Sequence, residues 1–464
     1  MNSSKTVFTP LDQAKFGWFH AKSIFTTGMG VFTDGYDLSS IGIVLTLALA
    51  SFGVKSLTGI ESSLLAGSAL VGAAAGAVLF GFLANHGRKA FYGLDVLIMA
   101  VAALAQAFVT NIPELIIVRF ILGIGVGADY VLSPLIMGEH SNAADRGKSI
   151  ALGFGITWGL GATFAAALYL VLAAYHVPPN LIWRIVLAAG SIPAASVIYL
   201  RRKMPETARF LARIAGDDQK VEQVLTEVVG RKTGKLPEGS LRDPHTVRYY
   251  FAHQWKRFVA AAVLWFLFDI VAYSGILFGP SLIAKGIGLS AGTFQLVMEF
   301  CFVVPGGVVA MLLIDRWGRK PLQILGFIGM AISLLAFSFY RGEAAAIPLV
   351  GLLLYGMENL LQQAGPGSVS ASGMLGVELA PTKVRSLVQA LTVASGRLGA
   401  SLTAFVFPAI FKVLGESFAI GFLGSIAAVA AVITLFAIPE TKKESLESSA
   451  AEMLSAQTQG ELLG

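Results

Sequence analysis

The sequence predicts an all-α membrane protein of 12 transmembrane helices, built as two six-helix bundles with both termini in the cytoplasm. Three observations predict it: long apolar runs, an alternation of basic and nearly uncharged connections, and an internal repeat. Of the 464 residues, 55% are hydrophobic and 13% are charged, whereas soluble proteins carry about 25% charged residues. The single cysteine, Cys301, excludes an intramolecular disulfide.

The apolar runs define the membrane spans. A helix needs roughly 20 mainly apolar residues to cross a bilayer. A helix also pairs its own backbone groups, which an open strand in lipid cannot do. Runs of this kind predict spans at residues 22–49, 62–84, 90–110, 113–137, 148–174, 181–200, 256–280, 291–314, 321–340, 346–374, 387–411 and 416–438.

Basic residues predict the orientation, because Lys and Arg concentrate in cytoplasmic loops. Every second connection is basic, as at residues 88–89, 146–148 and 316–320. The alternate connections hold isolated basic residues such as Lys55 and Lys412. Both termini are therefore expected in the cytoplasm. We interpret the net charge of +6 as a topology signal and expect no nucleic-acid partner.

The chain repeats itself. "GRK" occurs at 87–89 and 318–320, and "MPETARF" at 204–210 is echoed by "IPETKKE" at 438–444. The similar separation of the two pairs indicates two parallel halves. The predicted units are a six-helix bundle at 1–200, a cytoplasmic linker at 201–255, a second bundle at 256–445 and a cytoplasmic tail at 446–464. We expect short helices in the linker, flexible stretches near "RKTGKLPEG", and a disordered or briefly helical tail.

Charged residues inside the spans are the candidate functional groups. A charge at the bilayer centre costs at least about 2.5–3.5 kcal/mol on insertion scales and usually marks function. The spans contain Asp34, Asp37, Asp95, Arg119, Asp129, Asp269, Glu299, Glu358 and Arg397. We expect Asp95 to snorkel toward the cytoplasm, and Arg119 and Glu299 to reach water or one another. The other six lie near mid-depth, on spans that would line a central cavity.

Asp34 and Asp37 are candidates for proton coupling. They are three residues apart and so share a helix face. Two close carboxylates in a low-dielectric site would not both stay ionised, which suits reversible proton uptake. The alternative is a structural role, in which a carboxylate caps a helix break near Gly35 or pairs with an arginine.

Trp265, Asp269 and Tyr273 form one stripe, because they are spaced four residues apart along a helix. An indole N–H, a carboxyl and a phenol on one face are suited to binding a polar ligand; plain core packing is the alternative. Asp129 and Tyr130 are adjacent and project about 100° apart. One of the two can therefore face a cavity while the other faces a neighbouring helix.

Arg397 lies at mid-membrane between Gly396 and Gly399. Arginine stays charged and binds oxyanions with a planar fork of donors. Its position predicts an anionic substrate. Alternatively, Arg397 is a permanent partner of Glu358 or Asp34.

These motifs resemble the major facilitator superfamily over essentially the whole chain. "LLIDRWGRK" at 312–320 is similar to its loop signature, and "IVRFILGIGVGADY" at 117–130 to its fourth-helix motif. Within the superfamily, the chain most resembles the proton-coupled phosphate symporters, which are related to sugar porters. That likeness is carried by "FTDGYDL" at 32–38, "GADY" at 127–130, "WFLFDIVAY" at 265–273 and "SGRLGA" at 395–400.

The resemblance implies roles for particular residues. Those it assigns to proton coupling are Asp34, Asp37 and Asp129. Those it assigns to substrate binding are Tyr130, Trp265, Asp269 and Tyr273, with Arg397 as a basic residue of the eleventh span. The chain also departs from the family. Ile156 stands where the family has a phosphate-contacting glutamine, Gly367 stands where it has an asparagine, and Asn85 replaces a loop aspartate.

The predicted function is proton-coupled symport of an anion, first of all inorganic phosphate, by alternating access. The alternatives are symport of an organic acid or sugar, and a transport-inactive nutrient sensor on the same fold. The sequence shows no zinc-ligand pattern and no nucleophile elbow, so we expect no enzyme activity, no cofactor and no metal. The expected partners are the anion, protons and the lipid bilayer. We expect a monomer that spans the plasma membrane many times.

Overall fold

The computed structural model describes residues 7–54, 59–231, 241–340 and 347–452. These ranges contain helices and turns and no strand. The long helices are α1 Trp18–Ser51, α2 Ile60–Ala84, α3 Arg88–Phe108, α4 Ile112–His140, α5 Arg146–Ala174, α6 Pro179–Arg202, α7 Val247–Ile287, α8 Ala291–Trp317, α9 Arg319–Phe339, α10 Pro348–Gln362 with its π-helical continuation Gln363–Gly367, α11 Arg385–Leu414 and α12 Glu416–Ala437.

Ten of these helices are long and apolar enough to cross a membrane. The exceptions are α1 and α10. The first contains two aspartates in a polar stretch, and the second contains the polar run "ENLLQQ" at residues 358–363. The all-helical fold is confirmed, whereas the count of 12 spans stays a prediction.

The outer surface of the long helices is strongly apolar. Large hydrophobic side chains that are more than half exposed include Phe82, Val413, Phe339 and Phe436. A soluble protein rarely presents so much apolar surface. The interior, in contrast, holds many buried charges. This arrangement fits a protein whose surroundings are lipid and whose centre is polar.

The two "GRK" repeats begin helices in the same way. Gly87 precedes α3 with φ 156°, and Gly318 precedes α9 with φ 114°. Side chains other than the hydrogen of glycine rarely tolerate such values. The repeat therefore marks equivalent sharp turns, at the start of the third helix of each half.

Helices α2 and α4 approach until their backbones touch. A Cβ added at Gly76 would collide with the Ile124 carbonyl, and one at Gly127 would collide with the Ala73 carbonyl. Small residues four apart allow this close crossing in membrane helices. The glycine-rich run "GSALVGAAAGAVLFG" thus serves helix packing here.

Short helices gather at the end of the molecule where the linker lies. They are Thr9–Asp12, Ala208–Phe210 with its π-helical extension Leu211–Ala215, Asp218–Val229 and Leu446–Ser449. The stretch predicted to be flexible falls mainly on residues 232–240, which lie outside the described residues. The tail beyond residue 452 also lies outside them.

Ion pairs join the two halves at this end. Arg385 Nη1 lies 2.7 Å from Glu139 Oε1, and Arg146 Nε lies 2.8 Å from Glu378 Oε1. At the opposite end α1 meets α7, where a Cβ added at Gly42 would collide with the Ile276 carbonyl. The halves therefore touch on both sides of the central region.

Candidate substrate cavity and buried charges

A cavity of about 40 Å³ lies between the two halves. The N-terminal half contributes Val31, Tyr130, Phe154 and Trp158 to its wall. The C-terminal half contributes Phe268, Asp269, Ala272, Tyr273, Ile276, Gln362, Gln363, Gly367, Ala371 and Arg397. Apolar side chains with a few convergent polar groups are the usual lining of small-molecule sites.

Arg397 is the central cation of the cavity wall. Its Nη1 lies 3.2 Å from Asp269 Oδ2 and also donates to the Tyr273 hydroxyl. Its guanidinium carbon lies 4.3 Å from the centre of the Tyr130 ring. Within the described ranges, Arg397 forms its ion pair with Asp269 and none with Glu358, and its Nε has no hydrogen-bond partner. The fork therefore retains donor capacity for a ligand.

Trp265 supports this wall from behind. The indole packs against Gly396, where an added Cβ would collide with Trp265 Cδ1. Its ring also meets the edge of Tyr130, with 6.0 Å between centroids. Of the predicted stripe, Asp269 and Tyr273 line the cavity, and Trp265 fixes the position of Tyr130 and Arg397.

Asp34 and Asp37 are both buried on α1 but face different groups. The charged groups nearest Asp34 include Asp129, Arg397 and Arg201. Asp37 instead faces Arg119. In the part of the chain that the structure describes, neither carboxylate accepts a hydrogen bond. A buried carboxylate without a partner is costly and calls for an explanation in function.

Asp129 pairs with Arg201, the first residue of the predicted linker. Arg201 Nη1 lies 2.5 Å from Asp129 Oδ1 and 2.6 Å from Asp95 Oδ2. The guanidinium is fully buried, and a Cβ added at Gly30 would collide with it. Asp95 therefore does not snorkel to water, because it is buried and ion-paired. Tyr130, next along the chain, lines the cavity while Asp129 points away from it.

A charge count could have found Arg201. The first six predicted spans contain four aspartates and two arginines, Arg119 and Arg184. Arg184 donates to the Ala107 and Val109 carbonyls instead, which leaves Arg119 alone to balance the aspartates. Buried charges need opposite partners, so a second cation had to enter this bundle. Arg201 and Arg202 follow the last span directly, and the first of the pair turns inward.

Arg119 and Glu299 do not meet. Arg119 Nη1 donates to Gln106 Oε1 at 3.1 Å, and Glu299 Oε1 accepts from Gln295 Nε2 at 2.7 Å. Both side chains are buried, so neither reaches water. No three His, Cys, Asp or Glu side chains of the described segments lie close enough to hold a metal ion.

Of the positions where the chain departs from the phosphate symporters, Gly367 lines the cavity and Ile156 does not. Ile156 is absent from the cavity wall and packs near Gly307, where an added Cβ would lie 3.0 Å from Ile156 Cγ1. Gly367 does line the cavity, together with Gln362 and Gln363. Neither glutamine is among the residues predicted to bind substrate. A π-helical segment begins at Gln363 and shifts the helix phase at this point.

Comparison with known proteins agrees with this architecture. The family model described as "Sugar (and other) transporter" matches residues 23–453. The rice (Oryza sativa subsp. japonica) protein named "Probable inorganic phosphate transporter 1-10" is 33% identical, over 98% of this chain and 93% of its own length. "Low affinity inorganic phosphate transporter 4" of Lotus japonicus is 31% identical, over 96% and 94%.

Among solved structures, the proton:xylose symporter XylE bound to 6-bromo-6-deoxy-D-glucose superposes with a TM-score of 0.79 at 23% identity, covering 93% of this chain and 98% of that one. The fold is therefore that of a major facilitator transporter, a multi-pass membrane protein. The chain belongs to the sugar (and other) transporter family of that superfamily, a family of transporters and not of enzymes. The predicted likeness to phosphate symporters is confirmed.

Proposed function

We propose that the protein is a proton-coupled symporter that carries an anion, inorganic phosphate first, across the plasma membrane. One observation carries the proposal: a buried guanidinium, Arg397, lines a cavity between the two halves and keeps a free donor. A fixed positive charge in a low-dielectric cavity attracts an anion. The names of the rice and Lotus relatives support phosphate as the anion.

The coupling would arise from charge balance. Arg397 is already balanced by Asp269, and Arg201 by Asp129 and Asp95. An ionised Asp34 near Arg397 would repel an incoming anion. Protonation of Asp34, with Asp37 and Asp129 completing the proton path, removes that repulsion. The anion then enters together with its protons.

Alternating access would follow from rocking of the bundles 1–200 and 256–445 about the cavity. In this proposal the chain forms 12 spans, acts as a monomer, and keeps both termini, the linker 201–255 and the tail 446–464 in the cytoplasm. The site lies at the junction of two homologous halves, as the mechanism requires. Opening toward the linker would break the Glu139–Arg385 pair, which joins the halves at that end.

Uptake into proteoliposomes tests the proposal. Purified protein is reconstituted, an inward proton gradient is imposed, and accumulation of labelled phosphate, organic acids and sugars is compared. We expect gradient-dependent accumulation of phosphate that a protonophore abolishes. Accumulation of a neutral sugar in preference to every anion would contradict the proposal.

An organic anion is the second candidate, and the N-terminal wall of the cavity favours it. Val31, Phe154 and Trp158 present apolar surface there. Inorganic phosphate carries oxygens on every side, and each one left without a donor against an apolar wall costs about 1–3 kcal/mol. An organic acid could place its carbon skeleton against this wall and its charge near Arg397. The same uptake panel separates the two candidates.

A further inference from the structure

We propose that Gln363, with Gln362 beside it, supplies the neutral hydrogen-bond donors that hold the oxygens of the transported anion. This inference rests on the proposed function and deepens it, because it assigns substrate contacts to α10. The chain lacks the glutamine and the asparagine of the phosphate symporters at Ile156 and Gly367. The two α10 glutamines would supply amides in their place.

The shape of α10 brings both glutamines to the cavity. Consecutive residues of an α-helix project about 100° apart and rarely share one wall. Here the regular helix ends at Gln362, and a π-helical segment runs from Gln363 to Gly367. Gln362, Gln363 and Gly367 all line the cavity as a result. Such π-helical segments recur at functional sites.

The surroundings of Gln363 leave room for its amide. A Cβ added at Gly155 on α5 would lie 2.9 Å from Gln363 Nε2. One added at Gly367 would lie 2.8 Å from Gln363 Oε1. Glycine at both positions therefore lets the amide lie where any larger residue would collide with it.

The side-chain amides of Gln362 and Gln363 form no hydrogen bond with the described residues, unlike those of Gln389 and Gln323. Gln389 Nε2 donates to the Tyr130 carbonyl at 3.0 Å, and Gln323 Nε2 donates to Thr434 Oγ1 at 3.1 Å. Gln362 and Gln363 are each only 6% exposed. No described residue forms a hydrogen bond with either side-chain amide. Protein atoms do not fully enclose either amide, so both amides face the space of the cavity, where a ligand can pair with them.

The chemistry of an amide suits an oxyanion that carries a proton. Each NH2 group offers two donors for phosphate oxygens, and each carbonyl accepts from a P–OH group. A neutral amide adds no charge beside the Arg397–Asp269 pair. The guanidinium would supply the attraction, and the glutamines would orient the anion against it.

Binding of inorganic phosphate to the purified full-length protein tests the inference. We expect Gln363→Leu to weaken the dissociation constant about 10- to 100-fold, the range for a lost hydrogen bond to a charged group. Gln363→Glu should weaken it at least as much, because a carboxylate repels the anion. Gln363→Asn keeps an amide and should retain part of the affinity. The matched control is Asn359→Leu, one turn away on α10, where the amide donates to the Tyr355 carbonyl instead.

The outcomes separate this inference from the function on which it rests. Wild-type protein that binds no phosphate contradicts the proposed function and the inference together. Wild-type protein that binds phosphate, with an unchanged dissociation constant in Gln363→Glu and Gln363→Leu, overturns the inference alone. If Gln363→Leu does not fold, the Glu and Asn variants decide the result, and equal losses in Asn359→Leu would also overturn it.

Discussion

The two halves of the protein present opposite walls to the same cavity. On the N-terminal side, Phe154 and Trp158 offer apolar rings. On the C-terminal side, Asp269, Arg397 and Gln363 offer a carboxylate, a cation and an amide. The carboxylates of the N-terminal half lie behind its wall and do not line the cavity. The difference suggests a division of labour, in which one half binds the substrate and the other handles protons.

The same halves remain alike at the linker end. Glu139 accepts from Arg88 at 2.8 Å, and Glu378 accepts from Arg319 at 2.9 Å, in equivalent places. Burial alone would raise the pKa of Glu378, but the Arg319 and Arg146 guanidinium groups lower that pKa to about 2. This carboxylate therefore stays ionised at any physiological pH. The halves have kept a constant structural network and have diverged where the transport chemistry is proposed to occur.

The division predicts that proton coupling can be lost without losing the substrate site. The double variant Asp34→Asn, Asp37→Asn should abolish phosphate accumulation driven by a pH gradient. The dissociation constant should change by less than about tenfold, or 1.4 kcal/mol, because asparagine is neutral like a protonated aspartate and neither residue lines the cavity. Uptake and binding are measured on the same preparation. Full accumulation by the double variant would show that neither aspartate is needed for proton coupling.

A smaller but substantial effect is expected at the cation of the substrate wall. Arg397→Gln should weaken phosphate binding about 10- to 100-fold, since it removes a charged donor. Arg397→Lys should retain part of the affinity, because lysine keeps the charge and loses the planar fork. Wild-type affinity should tighten as pH falls and the aspartates take up protons. A neutral sugar bound with equal affinity by wild type and Arg397→Gln would favour the sugar alternative.

The residues that hold Arg397 should matter less than Arg397 itself. Tyr273→Phe removes the hydroxyl that accepts from Arg397, and the loss should be several-fold, near the 0.5–1.5 kcal/mol of a typical hydrogen bond. Trp265→Ala frees space beside Gly396 and should also weaken binding. Calorimetric binding with a thermal-unfolding control measures both. Unchanged dissociation constants would indicate that the Trp265–Asp269–Tyr273 stripe serves core packing and not substrate binding.

Hydropathy predicted the helical fold, because the bilayer imposes span length and internal backbone pairing on every segment alike. Arg201 was missed because it directly follows the predicted end of the sixth span. A boundary one residue away decides whether an arginine is assigned to a loop or to the core. Its role depends on Asp95 and Asp129, which lie on two other helices. Such pairing depends on the tertiary structure and cannot be predicted from the hydropathy of one segment.

The cavity wall was only partly predictable for a related reason. Asp269 and Tyr273 share a face under regular α-helical spacing, so sequence periodicity was enough to bring them together. Gln362 and Gln363 line the cavity across the junction with a π-helical segment, and that change of phase follows from packing in the folded state. Alignment by motif pointed to Gly367, which lines the cavity. Alignment could not show that the Gln363 amide lies beside Gly367, in the space that a larger residue there would fill.

The smallest expected effect concerns the apolar wall. Ile156 aligns with the helix-5 glutamine of phosphate symporters, yet it packs near Gly307 and not against the cavity. Ile156→Gln should therefore leave the phosphate dissociation constant within about twofold, well below the 1.4 kcal/mol of a tenfold change. Phe154→Gln, two residues earlier, places an amide in the wall itself and should change affinity more. The two variants are compared in the same binding assay. If Ile156→Gln tightened phosphate binding and Phe154→Gln did not, the N-terminal wall would contact the substrate through Ile156, and the contrast between the halves would be weaker than the cavity suggests.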